Sequence, residues 1–142
     1  MTGAGVPVES KGGDPFGPPK TAGAGAHVPG PEDVKIINLA RSALARTSAR
    51  QGACVRDTDG RSYAAASVAL EHLHLSAIQV AVAMAVSSGA PGLEAVAVAG
   101  EDGPTEDDLA VVRELPGTDV VVWHVDGCGA VRAAIEVSGA AA

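Results

Sequence analysis

A group of polar residues precedes an apolar stretch near the middle of the chain, and these residues are the first candidates for chemistry. Glu71, His72 and His74 come just before Ser76, and the residues that follow are almost all apolar. A His-x-His pair with a carboxylate can ligate zinc, and Asp108 would have to approach from another element to complete such a set. Because no Cys or third His lies nearby in the sequence, we expect the two histidines to be polar surface residues.

The same residues suggest a second chemistry, hydrolysis by a serine nucleophile. Ser76 and Asp108 with either histidine supply the residue types of a triad, but that chemistry also needs an oriented base and an oxyanion hole. The sequence has no Gly-x-Ser-x-Gly turn around Ser76, and a Ser at a helix start is explained by capping. The acidic residues 101–102 and 106–108 lack the spacing of a calcium loop, so we expect them on a loop and a first helical turn.

Composition and charge exclude several kinds of binding partner. The 142-residue chain has a formal net charge of −7 with only 10 Lys and Arg, and their scatter offers no basic patch for phosphate backbones. Three aromatic residues, Phe16, Tyr63 and Trp123, are too few for a stacking platform. The apolar runs are too short to span a bilayer, and no secretory signal is visible. We expect a cytoplasmic protein that binds neither nucleic acid nor membranes, with Cys54 and Cys128 as buried free thiols.

The elements that must position these residues follow from hydrophobic patterning. Residues 1–31 are rich in Gly, Pro and Ala without periodicity, and we expect a disordered tail followed by one domain over residues 32–142. An Asp-Gly turn at 57–60 lies between two strand-like runs and predicts a hairpin. The remaining segments predict helices at 32–47, 76–88 and 105–115, strands at 93–100 and 119–125, and a strand or short helix at 130–137. The second helix is apolar nearly all round, which predicts a position between layers.

This order of elements resembles the cytidine deaminase family over about residues 32–130. "GACVRDTDGRSYAAASVAL" (52–70) looks like that family's hairpin, which ends in an Asn-Val-Glu segment that contacts the nucleoside ribose. "SAIQVAVAMAVSSGAPGLEAVAVAG" (76–100) looks like the stretch that begins Cys-Ala-Glu-Arg, and "GPTEDDLAVVREL" (103–115) looks like the Pro-Cys-x-x-Cys helix. The resemblance implies a three-layer α/β/α cytidine deaminase-like fold, with a mixed sheet of about five strands and a starting β-hairpin.

In that family a zinc ion held by three thiolates, or by a His and two thiolates, activates water, and a Glu that is not a ligand moves protons as cytosine is attacked. This sequence departs from the pattern at each position. Ser76 stands where the first Cys is expected, and Thr105 and Asp108 stand at the Cys pair. Ile78 stands at the catalytic Glu and is expected to make the pocket floor apolar and closed. Ser76 and Thr105 are instead expected to be N-caps, with Thr105-x-x-Asp108 resembling a capping box.

The ribose-contacting and helix positions depart as well. Ser67 and Ala69 stand at the Asn and Glu of the hairpin, and Gln79 stands at the Arg that follows the catalytic Glu. We therefore expect no catalytic residue, no metal ligand and no cofactor. The expected lining of any remaining pocket consists of the aligned positions Ser67, Ala69, Ser76, Ile78, Gln79, Thr105 and Asp108.

The resulting hypothesis is a cytidine deaminase-like protein without catalysis that acts by binding a ligand or a partner. The resemblance implies a homo-oligomer with the apolar second helix near the interface, and a nucleoside-like small ligand or an unknown protein are the other candidate partners. Two alternatives remain open at this point. One is an active cytidine or nucleoside deaminase with a non-standard site, and the other is a regulatory interaction module whose tail supplies the contact.

Overall fold

Residues 28–140, the part of the chain that this computed structural model describes, form three helices and seven strands. The disordered tail was predicted for residues 1–31, and residues 1–27 of it lie outside the described part of the chain. The elements are α1 Pro31–Thr47, β1 Gly52–Asp57, β2 Ser62–Ala66, β3 Val68–Ala69, β4 His74–Leu75, α2 Ala77–Ser87, β5 Leu93–Ala99, α3 Glu106–Arg113, β6 Val120–Val125 and β7 Val131–Val137.

One mixed sheet forms the centre of the described residues. Its five strands lie in the order β2-β1-β5-β6-β7. β5 and β6 are parallel, and every other neighbouring pair is antiparallel. The predicted α/β architecture with a starting hairpin is confirmed, and the last segment, left open as strand or helix, is the edge strand β7. A separate two-stranded ribbon pairs β3 with β4 immediately before α2.

Strand β5 is covered on both faces, as its continuous apolar run predicts. Its alanines, Ala95, Ala97 and Ala99, face α1 and Trp123. Its valines, Val96 and Val98, face α2 and α3 on the opposite side of the sheet. Small residues on one face let α1 approach closely, whereas larger ones on the other face fill the space under two helices. The result is three layers, with α1 on one side and α2 and α3 on the other.

The start of α1 is tied to the sheet by an ionic network. Asp33 Oδ1 lies 3.0 Å from Arg56 Nη2, and Asp33 Oδ2 accepts a hydrogen bond from Trp123 Nε1 at 3.0 Å. Arg56 Nε also donates to Glu94 Oε1 at 2.7 Å. Hydrogen bonds to these charged groups stabilise partly buried positions, so the network fixes α1 against β1, β5 and β6.

The β1–β2 turn is organised by a carboxylate with no solvent exposure. Asp57 Oδ1 accepts hydrogen bonds from the backbone N–H groups of Asp59 and Arg61, both at 2.9 Å. Its Oδ2 accepts from Tyr63 Oη at 2.9 Å, and Gly60 takes the positive φ of 90° that the turn needs. Burial by itself would raise the pKa of Asp57, but the hydrogen bonds from Arg61, Tyr63 and Asp59 outweigh it and lower this pKa.

Two predictions about burial are wrong. Helix α2 is not enclosed on all sides, because the sheet covers only one of its faces and leaves Met84 40% and Val86 56% exposed. Cys54 is a buried thiol in β1, but Cys128 is exposed in the turn between β6 and β7. A turn connecting antiparallel strands runs over the surface, so a Cys within it has no core to enter.

Candidate functional site

The start of α2 is closed by a reciprocal pair of hydrogen bonds. Ser76 Oγ accepts from the backbone N–H of Gln79 at 3.1 Å, and Gln79 Oε1 accepts from the backbone N–H of Ser76 at 2.8 Å. This is a capping box, which satisfies backbone donors that the first turn of a helix leaves unpaired. The Ser76 cap was predicted. The role of Gln79 was not, although the Ser-x-x-Gln spacing is itself a capping signal.

The start of α3 carries a second capping box, as Thr105-x-x-Asp108 predicts. Thr105 Oγ1 accepts from the backbone N–H of Asp108 at 3.1 Å. Asp108 Oδ2 accepts from the backbone N–H of Thr105 at 3.0 Å. Asp in place of the usual Glu or Gln reaches back because its shorter side chain still spans one turn of backbone.

The two caps are joined to each other across the helices. Ser76 Oγ donates its proton to Asp108 Oδ1 at 2.6 Å, and Asp108 is only 2% exposed. Each carboxylate oxygen of Asp108 therefore accepts a hydrogen bond, one from α2 and one from the start of its own helix. A carboxylate at this place also faces the positive ends of two helix dipoles, which favour negative charge. The predicted site positions Ser76, Gln79, Thr105 and Asp108 thus form one connected group.

Ile78 lies in the first turn of α2, between Ser76 and Gln79, but its side chain belongs to the hydrophobic core. Its side chain has 0% exposure and packs in the cluster that includes Val55, Val96 and Leu109. An isoleucine there neither accepts nor donates a proton. The place aligned with a general acid–base group is therefore filled by apolar packing.

The two hairpin positions are placed differently. Ser67 is hydrogen-bonded to Gln51, with Ser67 N donating to Gln51 O at 3.0 Å and Gln51 N donating to Ser67 Oγ at 3.3 Å. Ala69 is exposed on the β3–β4 ribbon, opposite His74. Ser67 therefore holds β2 to the residue before β1, and Ala69 presents only a methyl group.

The loop that leads into α3 is held by His124 and by Gln51, and sequence reasoning missed Gln51. Gln51 Nε2 donates to Asp102 O at 3.1 Å, and His124 Nε2 lies 2.9 Å from Gly100 O. A Cβ at Gly103 would lie 3.0 Å from His124 Nδ1, so the glycine allows the loop to pass over the ring. His124 follows Trp123 in β6, and the structure buries both side chains, on opposite faces of the sheet.

The histidines before α2 lie on the surface. His72 and Glu71 have side chains about nine-tenths exposed, with His72 Nε2 4.0 Å from Glu71 Oε2, and His74 is exposed on β4. Within residues 28–140, no group of three or more His, Cys, Asp or Glu side chains is arranged to hold a metal ion. No helix of the described part is both long and apolar enough to cross a bilayer.

A family model identifies the family of this chain, and two solved structures have the same fold. A family model described as cytidine deaminase-like matches residues 29–129. A crystal structure of cytidine deaminase from Burkholderia pseudomallei aligns with a TM-score of 0.58 and 22% identity, covering 72% of this chain and 91% of that one. A mutant cytidine deaminase from Mycobacterium tuberculosis aligns with a TM-score of 0.54 and 23% identity, covering 63% and 82%. The comparison with curated protein sequences found no match.

Proposed function

This chain belongs to the cytidine deaminase-like family, and we propose that it is a non-catalytic member that acts by binding. The observation that carries the proposal is the hydrogen-bonded group of Ser76, Thr105 and Asp108. These residues stand at the three positions where the family resemblance implies metal ligands, and they bond to one another.

The zinc ion implied by the family does not fit this set of donors. Neutral hydroxyls are poor zinc ligands compared with the thiolates and imidazoles that form tetrahedral sites. Ser76 Oγ already donates to Asp108 and accepts from Gln79, while both oxygens of Asp108 accept protons from elsewhere. A metal ion would have to displace these hydrogen bonds, and the only charged ligand it would gain in return is the carboxylate of Asp108.

The general acid–base function is missing for a separate reason. Hydrolytic deamination needs a group that takes a proton from water and returns it to the base. Ile78 has no such group, and its full burial leaves no room for water beside it. The absence of the proton carrier and the absence of metal ligands therefore support the proposal independently.

The direct test is an assay of the purified full chain with cytidine and deoxycytidine, beside an active cytidine deaminase. We expect no uridine or deoxyuridine above a protein-free blank, and no stoichiometric zinc by metal analysis. The alternative is an active deaminase with a non-standard site. It requires product formation that disappears in Asp108→Ala, because Asp108 is the one ionisable side chain of the group, and that result would refute the proposal.

For the binding partner we propose a second copy of this chain, docked through the exposed face of α2. That face includes Ala83, Met84 and Val86, which are all exposed, and the whole helix carries no charged residue. In a chain of net charge −7, an uncharged strip of small and medium side chains lets two copies meet without opposed carboxylates. The protein is expected to act in the cytoplasm.

Light scattering after size exclusion tests this partner. The parent chain should elute as a dimer or larger, and Met84→Glu should shift it towards the monomer while leaving the fold intact. Ala110→Glu on the exposed side of α3 is the matched control and should leave the oligomer unchanged. A monomeric parent would refute this partner and favour a small ligand. A thermal-shift screen with nucleosides would then detect such a ligand, since binding raises the melting temperature by mass action.

The regulatory-module alternative makes a separate demand on residues 1–31. Capture of a protein partner that is lost when these residues are deleted, with the oligomer unchanged, would favour it over docking through α2.

A further inference from the structure

We infer that the hydrogen bond between Ser76 and Asp108 performs the structural task that a metal ion performs where thiolates hold one at two helix starts. This inference rests on the proposed absence of zinc. It goes beyond that proposal, because a chain without the metal need not have any other link between the starts of α2 and α3. The joined caps of α2 and α3, formed by Ser76, Gln79, Thr105 and Asp108, are called the cap clamp below.

The geometry of the cap clamp favours a connecting role over two independent caps. A capping residue needs one hydrogen bond to its own helix, and Ser76 and Asp108 both satisfy that need with Gln79 and Thr105. The remaining proton of Ser76 is directed to the remaining oxygen of Asp108, 2.6 Å away on the neighbouring helix. No second hydrogen bond is needed for capping, so this one contributes to holding α2 and α3 together.

Charge supports the same interpretation. A zinc ion with three thiolates carries one net negative charge, and so does the carboxylate of Asp108 with two neutral hydroxyls. In both cases a single negative charge lies between the positive ends of two helices. The substitutions thus keep the charge that the helix starts require while removing the metal.

Burial explains why the connection is specific. Asp108 is 2% exposed, and a carboxylate taken out of water is costly unless each oxygen is hydrogen-bonded. Removing the Ser76 hydroxyl leaves Asp108 Oδ1 without that donor, whereas removing both side chains leaves no such group. The two substitutions should therefore be strongly non-additive.

A double-mutant cycle of Ser76→Ala and Asp108→Ala measures this connection. Urea unfolding followed by the fluorescence of Trp123, the only Trp of the chain, gives the unfolding equilibrium constant. We expect a coupling of about tenfold, which is about 1.4 kcal/mol. Ser76→Ala combined with Asp107→Ala, an exposed neighbour in the same turn, is the control and should show no coupling. If Asp108→Ala does not fold, Asp108→Val replaces it, because it fills more of the same space and has no oxygen to accept from Ser76.

Restoring ligands tests whether the clamp stands at the place of a metal. A chain with Ser76→Cys, Thr105→Cys and Asp108→Cys should bind one cobalt ion with the visible absorption of tetrahedral thiolate coordination. A chelator should lower its melting temperature. The parent should show neither effect.

The outcomes separate the two proposals. A folded triple variant that binds no cobalt, or a cycle with no coupling, overturns the clamp and leaves the non-catalytic assignment standing. Stoichiometric zinc in the parent overturns both. Deamination by the parent without zinc overturns the proposed function alone.

Discussion

Replacing Ile78 by Glu tests how completely the core has closed over the position aligned with the family's acid–base residue. If only the missing carboxylate separated this chain from an enzyme, Ile78→Glu would be well tolerated. The structure predicts the opposite, because Ile78 has 0% exposure and its neighbours are aliphatic side chains from the sheet and α3.

The expected cost has two parts. The transfer free energy that holds a buried isoleucine in the core is about 1.5–3 kcal/mol, and it is lost with the side chain. An unpaired carboxylate in the same space costs several kcal/mol more, or is protonated at a smaller cost. We therefore expect Ile78→Glu to lower the free energy of unfolding by about 4 kcal/mol or more, against a total of about 5–15 kcal/mol for a domain. Ile78→Val should cost about 1 kcal/mol and serves as the conservative control.

The assay is urea unfolding at pH 7 and pH 5, followed by Trp123 fluorescence. A glutamate forced into the core has a raised pKa in the folded state. Its cost is therefore largest at high pH and shrinks as the pH falls towards the ordinary value of about 4.3. The deficit of Ile78→Glu should be smaller at pH 5 than at pH 7, whereas the deficit of Ile78→Val should not change.

The reasoning would be refuted if Ile78→Glu lowered the free energy of unfolding by less than about 1 kcal/mol at both pH values. It would mean that the side chain at this position reaches water, as it would in an open pocket. The core-filling account of the site would then be wrong, even if the protein remained inactive.

Three further predictions concern the scaffold. Gly52→Ala should lower the free energy of unfolding by about 3 kcal/mol or more, because the added Cβ would overlap the carbonyl oxygen of Ala40 in α1. Gly127→Ala, with open space around the added Cβ, should leave the free energy of unfolding nearly unchanged. The Asp57 carboxylate has a lowered pKa, so its contribution is present at neutral pH and is lost as the pH falls below about 4; the stability difference between parent and Asp57→Asn should shrink from pH 7 to pH 3 in urea titrations. A thiol reagent should modify Cys128 in the folded chain and Cys54 only after unfolding, because burial raises the pKa of Cys54 to about 11 and shields it; rapid modification of both thiols in native protein would contradict this.

Much of the fold was predictable because it depends on local patterns. The Asp-Gly turn predicts the position of the hairpin, and the continuous apolar run of β5 predicts a strand covered on both faces. The helix starts at Ser76 and Thr105 follow from residue type alone, since both side chains satisfy backbone donors within the next turn. These signals act over three or four residues and do not need the rest of the molecule.

Burial of surface segments was less predictable. The apolar character of α2 gave no sign of which side would remain exposed, because that depends on how much area one sheet can cover. The exposed Cys128 shows the same limit, since an average tendency of free thiols says little about a residue in a turn. Gln51 also escaped notice, because its partner, the carbonyl oxygen of Asp102, lies in a loop that has no local pattern.

The sequence by itself determined the order of elements and the two helix caps. Only the tertiary structure decided that Ser76 and Asp108 bond to each other and that Asp108 is buried between two helix ends. The physical reason is range. A cap forms within one turn of chain, whereas a bond between residues of different helices exists only after the sheet has brought those helices side by side.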